Sequence, residues 1–218
     1  MGAGVAADPA HSTHDTSGRL KAGARRFDSL PRFVLRVAAW LPLTFALWYL
    51  ASPLLVWPVA LLAEVFARNA FDWVKNVEQT GALITFVTSI KPAVAGDAAA
   101  KAVVSVESNA LLFSFGLPML AALILAAREP HRMRMLLIGF AVLVPFQTFS
   151  VVADFLKNLA ILAGPAVSSQ TGFNAFQREV IAFCYQFGTL ILPTVAPAIV
   201  WVLMHRGLLE KLSGRDTS

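Results

Sequence analysis

Two stretches of this chain run too far without a charge to be the surface of anything dissolved in water. Val180 to Met204 contains no acidic or basic side chain, and after Met135 none appears before Asp154. A helix rises about 1.5 Å per residue, so roughly 20 apolar residues cross the hydrocarbon layer of a bilayer. Two further segments fit that length: Val37 to Trp57 with an apolar continuation to Ala63, and Ala110 to Ala127, extended at its start by Ser108 and Asn109. The reading is an all-α integral membrane protein of about four transmembrane helices, near 37–63, 108–127, 135–158 and 180–204. Pro53 and Pro58 should bend or end the first, and Pro193 and Pro197 should bend the fourth, because proline lacks the backbone donor and crowds the preceding turn. Only 14% of the residues are charged, against about a quarter in soluble domains.

Lys and Arg collect on cytoplasmic flanks, so their positions predict orientation. Arg19, Lys21, Arg25, Arg26, Arg32 and Arg36 precede the first span, Arg128, Arg132 and Arg134 separate the second from the third, and Arg206, Lys211 and Arg215 follow the fourth. Both termini are therefore expected in the cytoplasm of a cell with an inner membrane. Residues 1–31, rich in Ala, Gly, Ser, Thr and Asp, read as a disordered tail, and 209–218 as a second cytoplasmic tail. The net charge of +5 sits in these short clusters beside apolar runs. It is a topology signal, and no nucleic-acid partner is expected.

The insert at about 68–108 balances Arg68, Lys75, Lys91 and Lys101 against Asp72, Glu78, Asp97 and Glu107, which places it outside. Within it, GALITFVTSI (81–90) and AVVSVE (102–107) are β-branched and partly alternating, and the link between them contains Pro92 and Gly96. That pattern predicts a small extracytoplasmic β-hairpin between the first two spans. Gly164 to Gln177 forms a second, short outer loop.

The third span carries the most informative polar residues. Gln147, Ser150, Asp154 and Asn158 recur three or four apart and share one helix face, with Lys157 in reach of Asp154. A charge inside a span is costly unless it faces protein or water, so this face is a candidate site for a partner; a structural pair at the interface is the plainer alternative. Glu107, Asn109, Gln177 and Arg178, with Glu179, should gather at the same outer boundary. The single cysteine, Cys184, lies near the outer end of the fourth span, while His131 and His205 lie at the cytoplasmic ends. No base can reach it to hold a thiolate, so it reads as a packing residue. Trp40, Trp48 and Trp57 read as interface anchors or packing residues. There is no phosphate-binding loop, HExxH, CxxC or nucleophile elbow, and no cofactor or metal is expected.

VVSVESNALLFSFGLPMLAALILA, VPFQTFSVVADFLKNLAIL and FQREVIAFCYQFGTLILPTVAPAIVWVLMHR together resemble the exosortase H-associated membrane proteins and, more faintly, exosortases themselves, over about residues 33–208. Exosortases are membrane transpeptidases that cut a C-terminal sorting tail with a Cys after a Val-rich strand, an Arg in the next span and a His before the last. Here Asn109 stands about where the Cys would be, Asp154 near the Arg, and Gln177 or Arg178 near the His. The resemblance thus implies an exosortase-like scaffold without exosortase chemistry: a non-enzymatic accessory that binds the sortase or its substrate's tail, with membrane lipid as its other partner. A divergent cysteine transpeptidase or protease is the enzymatic alternative. A small transporter, or a purely structural membrane protein, is the third.

Overall fold

Helix α1 (His14–Leu50) ends where the sequence supplies a proline. The computed structural model describes residues 14–92, 102–128 and 130–204, with side chains from Pro31 onward. Pro53 has no N–H for the carbonyl four residues back, so the helical ladder lapses at Ala51. A second helix, α2 (Ser52–Ala70), starts at once with that proline in its first turn, where a missing donor costs nothing. Pro58 lies within α2 and does not end it. The expected first span is therefore two helices, and they scarcely touch: α1 packs along α4, while α2 packs along α5 and the sheet. The helix already covers 14–31, which was expected to be disordered. Residues 1–13 and the 209–218 tail lie outside the described residues.

After α2 comes a three-stranded antiparallel sheet in the order β1-β2-β3, formed by Val74–Thr80, Leu83–Thr88 and Ser105–Asn109. The expected hairpin is its β2-β3 half, with Thr85 opposite Glu107 and Phe86 opposite Val106. Strand β1 was not anticipated. Its residues are polar and mostly exposed, as befits an edge strand, where Lys75 and Glu78 discourage pairing with another chain. It joins β2 through a two-residue turn at Gly81, whose φ of +64° suits glycine. Gly81 is thus a turn residue and not the start of a strand. The 93–101 part of the β2–β3 link, with Gly96, lies outside the described residues.

The remaining chain is helical. A short turn α3 (Leu111–Ser114) leads into α4 (Gly116–Ala127), and α5 (Arg132–Lys157) continues as a π-helical turn at Asn158–Leu162. Ser108 and Asn109 belong to β3 and not to a helix start. Beyond α6 (Pro165–Ser168), α7 (Ala175–Gln186) passes through a π-helical turn at Phe187–Ile191 into α8 (Leu192–Met204), which absorbs Pro193 and Pro197.

Four helices are long and apolar enough to cross a membrane: Pro31–Leu50, Ser52–Ala70, Arg132–Leu162 and Ala175–Met204. Four was the expected number, but the set differs, since α2 enters it and 111–127 is a shorter apolar helix. The outer surface suits lipid: Leu50, Leu54, Phe183 and Leu190 are all at least two-thirds exposed. Each such side chain would cost about 1.5–3 kcal/mol to leave in water.

The bundle has two distinct ends. At one, Phe33 of α1 stacks near Trp201 of α8, ring centroids 5.9 Å apart, beside the α4–α5 turn with its arginines. At the other, the sheet lies on α2 and the far part of α5. Phe86 stacks on Phe155 at 4.1 Å, and Phe71, Trp73 and Phe173 extend the aromatic layer. Gln170 clasps the backbone of Lys91, accepting from its N–H and donating to its carbonyl, and so ties the 164–177 loop to the sheet.

Candidate functional site

The polar face of α5 begins in the bundle interior. Gln147 is buried against a cavity of about 10 Å³ that it shares with Ser150, Phe113, Gly116 and Pro193. A cavity of that size holds about one water. Ser150 donates to the carbonyl of Gly188 at 2.8 Å, across to the π-helical turn between α7 and α8. A π turn widens the ladder and leaves carbonyls for other donors. The approach is close: a Cβ at Gly188 would lie 3.0–3.3 Å from Ser150, which would have to give by a few tenths of an ångström.

One turn further, Asp154 is buried and held from two sides. Ser108 Oγ of β3 donates to Oδ2 at 2.8 Å, and Lys157 Nζ lies 3.0 Å from Oδ1. The ammonium of Lys157 also sits 3.9 Å above the ring of Tyr185 on α7. A strand, the long helix and the neighbouring helix therefore meet at one ion pair. Asp154 gains a hydrogen bond that offsets the cost of its burial, and Lys157 gains an aromatic face. Asn158, half-buried, opens the π turn that follows.

Ser108 and Tyr185 were not anticipated as members of this group. The signal for Ser108 was present: Val104, Val106 and Ser108 alternate with exposed Val103, Ser105 and Glu107, so extending the period-two pattern by one step turns Ser108 inward.

The outer polar residues Asn109, Gln177 and Arg178 have local partners. Glu107 is exposed on β3, and the side chain of Asn109 accepts from Leu111 N–H two residues on. Gln177 completes a capping box with Asn174 at the start of α7, and Arg178 donates to the carbonyl of Phe173. No hydrogen bond among the described residues joins the first pair to the second. Arg178 and Glu179 instead border a cleft of about 370 Å³ against Gly164, Pro165 and Ser168.

Cys184 lines an apolar groove of about 780 Å³ between α2, α5 and α7, with Leu62 and Phe66 on one wall and Thr148, Phe149 and Val180 on the others. No group of three His, Cys, Asp or Glu able to hold a metal occurs among the described residues. Of the expected interface aromatics, Trp57 is exposed, and Trp48 packs edge-on against Phe45. Trp48 and Trp57 also line a second apolar groove, between α1, α2, α4 and α5.

No curated protein and no solved structure matches the chain. One family model does, over residues 28–208, which includes the sheet, the Asp154 group and every helix from α2 onward. The chain belongs to the family of exosortase H-associated membrane proteins.

Proposed function

We propose that this protein is a non-catalytic inner-membrane accessory of exosortase-type C-terminal sorting, and that it binds the exosortase through the α2/α5/α7 groove. The observation that carries the reading is the bond between Ser108 and Asp154. It packs β3 against α5 one residue before Asn109, the position at which the exosortase pattern would put a cysteine, and engages Asp154, which stands near the position of the arginine. Here one is an amide bonded to Leu111 N–H and the other a carboxylate already engaged by Ser108 and Lys157. Such a group ties a strand to a helix and supplies neither the cysteine nor the arginine of exosortase chemistry.

The groove supports the docking part. It is apolar, lies beside the Asp154 group, and has small residues, Ala70 and Ala153, among its lining. Close approach and packing drive helix association in lipid, where apolar burial alone does not. An enzyme built on Cys184 lacks support, because the thiol faces this apolar groove and no described histidine lines it. A transporter would need a polar path, and the cavity at Gln147 has room for about one water.

Cys184 is the chain's single cysteine, so it serves as a native probe. Oxidative cross-linking in membranes against single cysteines placed along the exosortase helices should give a helical pattern of adducts, and Phe66→Ala should weaken co-purification in mild detergent. Adducts to the substrate's sorting tail alone would move the occupant from sortase to tail. No adduct to either, with the protein inserted and abundant, would overturn docking at this groove.

A further inference from the structure

The second groove has a different character. It is about 670 Å³, bounded by α1, α2, α4 and the start of α5, and its walls are almost wholly apolar. Its hydroxyl side chain, Thr44, donates to its own helix at Trp40 and Leu41. Basic residues flank the lining in sequence at one end. Arg128 follows the lining residue Leu125 by three positions, Arg132 precedes Leu136 by four, and Arg36 precedes Thr44 by eight. Arg132 and Arg36 thus continue the groove faces of α5 and α1, and Arg128 caps the end of α4 with φ +55°. Arg128 and Arg132 are exposed, and neither forms an ion pair with a described carboxylate.

The same end carries a helix N-terminus. Helix α5 begins at Arg132 after His131, which has φ +69° and makes no side-chain cap, and there is no acidic residue in its first turn. Uncapped N–H groups and the helix dipole favour an anion there. The matching molecule is long and apolar with an anion at one end.

We propose that the α1/α4/α5 groove is a binding site for an anionic phospholipid, whose acyl chain lies along Leu120, Leu125 and Leu136 and whose phosphate meets Arg128, Arg132 and the N-terminus of α5. The headgroup end of the site lies at the arginine end of the bundle. It stands independently of the docking groove on α2, α5 and α7. Basic pockets at helix ends bind anionic headgroups in this way, and each basic side chain near the surface contributes about a fivefold gain in affinity.

The experiment is thermal unfolding of the full-length protein in mild detergent, titrated with phosphatidylglycerol, with phosphatidylcholine of the same acyl chains, and with inorganic phosphate. Phosphatidylglycerol should raise the unfolding temperature and the other two should not. In Arg128→Gln with Arg132→Gln, the unfolding temperature without lipid should hold while apparent affinity for phosphatidylglycerol falls roughly 25-fold. Leu137→Trp, at an exposed position on the groove wall, should weaken the lipid response with both arginines in place. Equal shifts from both lipids, a shift from phosphate alone, or an undiminished response in the arginine variant would each overturn the proposal.

Discussion

Asp154 is held by a serine from a strand and a lysine from its own helix, and that arrangement sets what its removal does. Asp154→Leu leaves the ammonium of Lys157, only 17% exposed, over an aromatic ring without its counter-ion. Removing one member of a buried pair costs about 3–5 kcal/mol, mostly through the group left behind. We expect Asp154→Leu to lower the unfolding temperature sharply, and Asp154→Leu with Lys157→Leu to recover much of the loss, because both uncompensated groups leave together. A double variant no more stable than the single one would show that the pair is not the source of the effect. The residue face itself was legible: Gln147, Ser150, Asp154 and Asn158 fall at helical spacing in the sequence. Its partners were not, since Ser108 is 46 residues from Asp154 and Gly188 is 38 from Ser150. Spacing within one helix says nothing of what another element brings against it.

Among the elements, α4 and α8 pack most closely where glycine meets proline. Pro197 has no N–H to offer Pro193, four residues back, so the Pro193 carbonyl is free of the helical ladder. That carbonyl and the Pro197 ring lie against Gly116, where an added Cβ would clash with both. Neither obstacle is the flexible end of a side chain. Gly116→Ala should therefore force the two helices apart, at a cost of about 1–3 kcal/mol, read as a lower unfolding temperature in detergent. An unchanged unfolding temperature would mean that the interface accommodates a methyl group. By contrast, a Cβ at Gly139 would meet the tip of the Leu120 side chain, which can move. Element type was legible where periodicity was strong, as in α5, α7–α8 and the β2-β3 pair. Strand β1 escaped because an edge strand exposes both faces of most residues, so VKNVEQT shows no alternation to read. A bend or end was expected at Pro53 or Pro58, which look alike in sequence; the structure ends α1 ahead of Pro53 and lets α2 run through Pro58.

At the scale of the molecule, the question is how many times the chain crosses. Apolar length selects α1, α2, the long α5 helix and α7–α8. Yet α2 does not fold back along α1. It follows the sheet, with Gln79 of β1 donating to the Pro53 carbonyl at its start and Phe71 stacked on Trp73 at its end. If α1 with α2 makes one passage and α3–α4 the return, both arginine-bearing ends of α1 and α5 face the same side, in accord with the clustering of Lys and Arg. The sheet then lies outside. In a Cys184→Ala background, Lys75→Cys on β1 should be labelled by a membrane-impermeant maleimide added to intact spheroplasts. Labelling only after the membrane is opened would place the sheet in the cytoplasm and add a crossing for α2.

The sequence by itself determined that this is a membrane protein, which face of α5 is polar, and that a β pair interrupts the helices. Those properties depend on composition and on periods of 3.6 and 2 within single segments, where each residue's neighbours are set by the chain. The tertiary structure alone decided that α1 and α2 pack against different partners, that Asp154 belongs to a three-element ion-pair group, and that Gln177 and Arg178 bond within their own helix start. The first two depend on which segment packs against which. In a bilayer nearly every helix is apolar on all sides, so the hydrophobic pattern that would assign partners in a soluble core carries little information, and small residues, proline-freed carbonyls and a few polar contacts choose instead.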